Sequence, residues 1–106
     1  MRLVYPFALL LPALAWTACA RFDQLAPPVT PAMVAASTGG TARLLGRGRE
    51  VYAGACTACH AAEPIGKYTS VRWREIVGDM AERSELANSD RSALLAYLWA
   101  VKSIAP

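Results

Sequence analysis

Residues 56–60 of this chain read Cys56-Thr57-Ala58-Cys59-His60. On a helix, cysteines three positions apart place their thiols on the same face, nearly one turn from each other. A histidine follows directly, and a neutral imidazole nitrogen is a common metal ligand. The stretch therefore offers two thiols for covalent attachment beside one metal ligand.

The pattern C-x-x-C-H is the attachment signature of a c-type haem. It predicts that Cys56 and Cys59 form thioethers with one haem, and that His60 is an axial ligand of the haem iron. Two other interpretations stay open. A zinc site needs four ligands; because Cys19 lies in an apparent export signal, a site within the domain could draw only on Cys56, Cys59 and His60 plus a carboxylate. A dithiol redox pair also uses C-x-x-C, but it is expected in a βαβ setting that the sequence does not indicate.

Residues 1–20 have the features of a secretory signal peptide. Arg2 gives a positive start, the stretch Leu3–Ala20 carries no charge, and Arg21 closes it. Its length also reaches the lower limit for a membrane span. The prolines inside the stretch and the small residues at its end favour a signal that is cleaved.

Two cleavage sites compete at the end of this signal. Ala18-Cys19-Ala20 is an A-x-A site with cleavage after Ala20. Alternatively, Trp16–Cys19 resembles a bacterial lipobox, in which Cys19 is lipidated and becomes the mature N-terminus. We favour the lipoprotein, although Trp16 stands where lipoboxes usually have Leu. Acyl chains at Cys19 would anchor the protein to a membrane, and export predicts a bacterial periplasmic location.

The remaining chain divides into a tether and one small domain. Residues 21–40 contain three prolines and end in a Gly pair, which predicts a flexible tether. Residues 41–106 are predicted to form the folded domain, which is small enough to need a covalent staple such as haem. The formal net charge is +3 with no basic cluster beyond residues 43–49, so nucleic-acid binding is not expected.

Periodicity predicts an all-α domain of three main helices. Thr41 can cap the first helix, which runs towards the C-x-x-C-H motif, and Thr69 or Ser70 can cap the second, which ends near Ser84. The third helix is predicted to begin after Asn88-Ser89. The predicted buried faces are Leu44, Leu45, Val51 and Tyr52; Trp73, Ile76, Val77, Met80 and Ser84; and Leu94, Leu95, Leu98 and Val101, flanked by Tyr97.

Gly48, Tyr52 and the C-x-x-C-H motif together resemble the N-terminal helix of class I cytochromes c. Residues 89–102 are similar to the C-terminal helix of that family. The resemblance covers roughly residues 46–102. It implies a small cytochrome c-like domain around covalently attached haem, in which Gly48 allows the first and last helices to cross closely.

The second axial ligand of the iron is the open question in this interpretation. His60 is the only histidine, so a second histidine of this chain is excluded. Met80 is the leading candidate, because a thioether opposite histidine suits an electron carrier; core packing is the competing role of this side chain. An open or water-bound iron comes next, followed by Lys67 or Asn88. Met33 is expected to be an ordinary linker residue.

The proline that follows the motif has two candidate roles. The resemblance implies that the carbonyl of Pro64 accepts a hydrogen bond from the axial histidine, although this proline comes earlier than is usual in the family. A plain turn over residues 63–66 is the favoured alternative.

The function predicted from the sequence is electron transfer through one covalent haem, with the iron cycling between its ferrous and ferric states and an unidentified redox protein as partner. No catalytic residues are assigned, so the chain is not expected to be an enzyme. The alternatives are a five-coordinate haem domain that binds or senses a small ligand and, less favoured, a haem-free dithiol redox module.

Overall fold

The computed structural model describes residues 25–54 and 63–104 of the chain. The first helix that lies wholly within these residues is short. This helix, α1 (Pro31–Ala36), is capped by Thr30, whose Oγ1 accepts a hydrogen bond from the Met33 N–H at 3.3 Å. Pro31 suits the first helical position, where its missing N–H costs nothing. Met33 is fully buried.

The second helix, α2 (Ala42–Gly54), begins as its capping residue predicts. Thr41 Oγ1 accepts a hydrogen bond from the Leu44 N–H at 3.1 Å, which satisfies one of the free donors of the first turn. After residues 55–62, a 3₁₀ turn at Ile65–Lys67 leads into the third helix.

Helix α3 (Ser70–Arg83) is capped by Thr69, whose Oγ1 accepts a hydrogen bond from the Arg72 N–H at 3.1 Å. Helix α4 (Asn88–Ile104) follows after a turn in which Glu85 adopts a positive φ of 51°. These bounds agree with the predicted second and third helices. The described residues form an all-α fold with three main helices, which confirms the predicted fold class.

Helix α4 is the centre of the fold, because α1, α2 and α3 all pack on it. Tyr97 is fully buried rather than at the flank of its helix as predicted. On α3, Ala81 is buried and Ser84 is exposed, so the buried face is shifted by a few residues from the prediction at its C-terminal end.

Gly48 marks the point where α2 crosses α4. A Cβ built on Gly48 would overlap the backbone oxygen of Ala93 and lie 2.6 Å from the Cβ of Tyr97. The two backbones are in contact because residue 48 has no side chain. The close crossing that the resemblance implied is therefore present.

An exposed ion pair also joins these two helices. Arg47 donates two hydrogen bonds to Asp90, from Nε at 2.8 Å and from Nη2 at 2.9 Å. The hydrogen bonds from Arg47 lower the pKa of the Asp90 carboxyl. Asp90 lies in the first turn of α4, where a negative charge also complements the helix dipole.

The prediction of a flexible tether at residues 21–40 is wrong for the part that the structure describes. Arg49 Nε donates to the Ala26 backbone oxygen at 2.9 Å, and the Tyr97 hydroxyl donates to the Pro27 backbone oxygen at 2.7 Å. Ala26 and Met33 are buried, and α1 packs on α4. Residues 26–37, which we call the strap, therefore belong to the folded domain.

The packing of the strap predicts that the Met33 side chain stabilises the folded protein. Replacing it by Ala removes a fully buried side chain and should lower the free energy of unfolding by about 2–4 kcal/mol. A Ser at the exposed neighbouring position Ala35 should change stability by less than about 0.5 kcal/mol. Urea unfolding measures both variants, and equal stability of the Met33 variant and the wild type would show that the strap does not pack in solution.

Among residues 25–54 and 63–104, no helix is both long enough and apolar enough to cross a bilayer.

Candidate functional site

The residues predicted to bind haem covalently lie outside the described part of the chain. Cys56, Cys59 and His60 fall within residues 55–62, and Cys19 falls within residues 1–24. The structure does describe the segments on both sides of the C-x-x-C-H motif, together with Met80. These segments define the surroundings of the candidate haem site.

A hydrogen bond joins the two segments that flank the motif. The hydroxyl of Tyr52, in the last turn of α2, donates to the backbone oxygen of Glu63. The Tyr52 side chain is buried, with 1% of its surface exposed. The chain therefore leaves α2 and returns at Glu63 next to the same side chain.

The returning segment is also attached to α3. Trp73 Nε1 donates to the backbone oxygen of Ile65 at 2.7 Å, and both residues are buried. Lys102 of α4 donates from Nζ to the backbone oxygen of Tyr68 at 2.9 Å. Residues 63–68 are thus held by side chains from α2, α3 and α4.

Four aromatic rings, from α2, α3, α4 and the segment that follows the motif, meet in the core. Trp73 lies edge-on to Tyr68, with ring centroids 5.3 Å apart, and edge-on to Tyr52 at 6.3 Å. Tyr97 lies 6.3 Å from Tyr52. Edge-to-face pairs of this kind stabilise a core beyond their buried area. The rings of Tyr52, Trp73 and Tyr97 are buried, so they join the three main helices and do not form an exposed surface.

Met80 lies at the edge of the buried face of α3. The buried residues of this helix are Trp73, Val77 and Ala81. Residue 80 is three positions from residue 77, which places it about 60° away around the helix. Its side chain is half-buried and packs against the hydrophobic core.

Burial distinguishes the two described methionines. Met80 is half-buried and packs against the edge of the core, while Met33 is fully buried inside it. Met33 is therefore a core residue and not the linker residue that was predicted. Of these two thioethers, that of Met80 is the one whose side chain is partly exposed.

Lys67 is a poor alternative ligand because its ammonium group is paired. It donates to Glu63 Oε2 at 2.8 Å, and this hydrogen bond raises the pKa of the lysine. Metal ligands must be deprotonated, so the ion pair opposes binding of iron at Nζ. Asn88 is the exposed first residue of α4 and has no structural feature that marks it as a ligand.

The carbonyl of Pro64 accepts a hydrogen bond from the Lys67 N–H at 3.0 Å, which forms the 3₁₀ turn. This agrees with the favoured alternative of a local turn. A carbonyl oxygen has two lone pairs, and the partner proposed from the resemblance, His60, lies outside the described residues.

The donor set fits a c-type haem. The motif supplies two thiols and an imidazole, and among the described residues Met80 offers a thioether that is half-buried and not enclosed by the core. Among the described residues, no group of three or more His, Cys, Asp or Glu side chains could hold a metal ion.

The sequence did not reveal that the rings of Tyr52, Tyr68 and Trp73, which flank the C-x-x-C-H motif in the chain, pack against one another. The aromatic residues on either side of the motif were the available signal. Their partners, the backbone oxygens of Glu63 and Ile65, depend on the tertiary fold and have no local pattern.

The burial of Tyr97 predicts that the protein loses stability at alkaline pH. Burial raises the pKa of its phenol from 10.0 to about 12. The phenol has a higher pKa in the folded protein than in the unfolded chain. Its contribution to the free energy of unfolding is therefore fully present below pH 10 and is lost as the pH rises towards 12. Urea unfolding at pH 8 and pH 11 should show an alkaline loss of stability that is smaller in Tyr97→Phe.

The same substitution has a second expected effect at neutral pH. Tyr97→Phe also removes the hydrogen bond to Pro27, which should lower stability at pH 8 by about 1 kcal/mol. An equal alkaline loss in both proteins would contradict a buried, neutral Tyr97.

Comparison of the chain with protein-family models, curated proteins and solved structures gave no match.

Proposed function

We propose that this chain is a monohaem c-type cytochrome that carries electrons in the bacterial periplasm. The observation that carries the proposal is the sequence Cys56-Thr57-Ala58-Cys59-His60, because its two thiols and adjacent imidazole match the requirements of covalent haem attachment. A bound haem supplies an iron that gains and loses one electron. The assigned roles are thioether formation by Cys56 and Cys59, and axial ligation by His60.

The described helices support this proposal indirectly. Helices α2 and α4 cross through Gly48, as the N- and C-terminal helices of class I cytochromes c are expected to do. Helix α2 leads towards the motif, and Tyr52 in its last turn packs edge-on against Trp73 in the core. These rigid elements suit a carrier, since electron transfer is faster when little rearrangement accompanies a change in charge.

Met80 has the role of sixth ligand in this proposal. Its half-buried side chain lies at the edge of the buried face of α3, where part of it is exposed. A Met–His pair favours ferrous iron and raises the reduction potential. The residue thereby determines what the haem does, because a closed iron transfers electrons while an open iron also binds small ligands.

One observation favours the second candidate, a five-coordinate haem domain that binds or senses a small ligand. Met80 packs against the edge of the core within a regular helix, and a methionine in such a position is often a core filler. The two candidates differ in whether ferrous protein binds CO.

The test of the haem itself is a mass measurement. Mature protein made with the haem-attachment machinery should carry the mass of one haem, and its band on a denaturing gel should stain for peroxidase activity. A Cys56→Ala/Cys59→Ala protein should lose both signals and, because so small a domain depends on its staple, most of its cooperative unfolding. Wild-type protein without haem mass would exclude the proposal and leave the dithiol module.

We further propose export with cleavage before Cys19 and lipidation of that residue. The support is the uncharged stretch Leu3–Ala20 and its lipobox-like end. The intact mass should correspond to a chain that begins at Cys19 and carries acyl chains. A chain that begins at Arg21 without lipid would exclude the anchor but leave the haem proposal intact.

A further inference from the structure

Tyr52 is connected to both ends of the segment that carries the C-x-x-C-H motif. Along the chain it precedes Cys56 by four positions. Its hydroxyl donates to the backbone oxygen of Glu63, which follows His60 by three positions. Eleven residue steps separate Tyr52 from Glu63, and an extended chain of that length spans about 38 Å. The hydrogen bond therefore closes the intervening chain into a loop.

The core holds the Tyr52 side chain in one place. The side chain is buried, and its ring lies between Trp73 of α3 and Tyr97 of α4, with centroid distances of 6.3 Å to each. A side chain whose rotamer is locked by packing holds its hydrogen-bond partner in a defined position. The Tyr52 hydroxyl is therefore a fixed point to which the returning chain is attached.

A second attachment follows two residues later in the chain. Trp73 Nε1 donates to the backbone oxygen of Ile65 at 2.7 Å, so the segment is held again at this position. Glu63, however, is the first residue after the motif that the structure describes. Tyr52 thus holds the chain closer to the motif than Trp73 does.

Short pieces of chain connect the motif to these fixed elements. Three residue steps separate His60 from Glu63, so their Cα atoms lie within about 11 Å of each other. Cys56 follows Gly54, the last residue of α2, by two positions, so these Cα atoms lie within about 7 Å. A covalent haem needs its thiols and its axial imidazole in one fixed arrangement. Helix α2 positions the thiol side, and the attachment at Glu63 acts on the imidazole side.

We infer that Tyr52 is a positioning residue for the axial imidazole of His60. Its hydroxyl fixes the backbone at Glu63, and this restricts where the imidazole lies relative to the thiols of Cys56 and Cys59. The inference rests on the proposed haem and deepens it. It gives the tyrosine hydroxyl a role in ligand orientation, in addition to the packing of the ring between the helices.

The test compares two tyrosines whose hydroxyls hold different segments. Tyr52→Phe removes the hydrogen bond to Glu63, whereas Tyr97→Phe removes the hydrogen bond to Pro27 in the strap. Both side chains are buried, their rings pack against each other, and each variant loses one hydrogen bond to a backbone oxygen. The two variants should therefore have similar melting temperatures. A difference between them at the haem then reports position and not stability.

Amide hydrogen exchange in the mature protein measures whether the hydroxyl holds the returning segment. The reporter is the N–H of Lys67, which donates to the backbone oxygen of Pro64, and the reference is the N–H of Leu86 in the turn after α3. Loss of an ordinary hydrogen bond changes a local opening equilibrium about fivefold. The exchange rate of Lys67 relative to Leu86 should rise about fivefold in Tyr52→Phe and stay at the wild-type value in Tyr97→Phe.

The NMR spectrum of the ferric protein measures the orientation of the imidazole itself. The paramagnetic shifts of the haem methyl groups depend on the direction of the axial imidazole plane. Their pattern should change in Tyr52→Phe and remain as in the wild type in Tyr97→Phe. A hydroxyl with a structural role alone would lower the stability of the protein and leave this pattern unchanged.

The outcomes for the inference and for the proposed function are distinguishable. A wild-type exchange ratio in Tyr52→Phe, or the same methyl pattern in all three proteins, would overturn the inference while the haem proposal stands. Haem mass, measured on the same wild-type sample, reports on the proposed function. Protein without haem mass would contradict the proposed function and the inference together.

Discussion

Gly48→Ala should destabilise the protein by about 3 kcal/mol, near the upper end of what overpacking costs. The added methyl group would overlap the backbone oxygen of Ala93 and press on the Cβ of Tyr97. A flexible side chain could move away, but the first of these atoms belongs to the backbone of α4. The two helices must therefore separate, which loosens the contact on which the fold is centred.

The chain contains a matched control two residues earlier. Gly46 lies on the same helix, and a Cβ built there meets no atom within 4 Å. Gly46→Ala should raise stability by about 0.5–1 kcal/mol, because alanine is the better helix former. The two substitutions are chemically identical, so the difference between them isolates the helix crossing.

Thermal unfolding followed by circular dichroism measures both proteins. For a domain of this size, about 3 kcal/mol corresponds to a fall in melting temperature of about 15 °C for Gly48→Ala. Gly46→Ala should melt a few degrees above the wild type. Similar melting temperatures for the two variants would mean that α2 and α4 do not cross at Gly48.

The predicted helices agree with the structure where their signals are local. Thr41 and Thr69 were identified as capping residues, and each accepts a hydrogen bond from a backbone N–H three positions later. Caps depend on neighbouring residues alone, so a sequence reveals them. The crossing at Gly48 was also predicted, but through the family resemblance and not through periodicity.

The strap was not predicted because no local pattern encodes it. Helix α1 has six residues, too few to show a helical period; Pro27 and Pro28 precede it and Pro31 is its first residue. Its place in the fold depends on Arg49 and Tyr97, which are distant in sequence and reach the backbone oxygens of Ala26 and Pro27. Prolines and a Gly pair indicated a flexible segment, and tertiary contacts overrode that tendency.

The candidate site also has one part that the sequence predicts and another part that only the structure shows. The chemistry of the motif follows from Cys56, Cys59 and His60 and needs no structure to be inferred. The surroundings of the motif do need one, since the partners of Tyr52 and Trp73 are backbone oxygens in another segment. Sequence also left the role of Met80 open between ligand and core residue. Its half-buried position at the edge of the core is compatible with both roles, and CO binding distinguishes them.

Met80→Leu should convert the proposed electron carrier into a protein that binds CO. Leucine keeps the apolar volume of methionine, and such substitutions usually cost less than about 1.5 kcal/mol. The thioether is lost, so the iron loses its sixth ligand while the half-buried position stays filled. The ferric protein should lose the weak absorption band at about 695 nm that reports an iron–thioether bond, and its reduction potential should fall.

Two further variants distinguish ligation from packing. Met33→Leu changes the fully buried methionine and should leave the spectrum and CO binding as in the wild type. Met80→His restores a sixth ligand of a different kind, so it should again exclude CO but keep a low potential, as two imidazoles favour ferric iron more than a thioether does. This combination cannot arise from a loss of stability alone.

CO binding by the ferrous wild-type protein distinguishes the two roles of Met80. If Met80 is the ligand, ferrous wild-type protein excludes CO at concentrations that saturate Met80→Leu. If Met80 only fills the edge of the core, both proteins bind CO alike, neither shows the band at about 695 nm, and the five-coordinate alternative replaces the carrier.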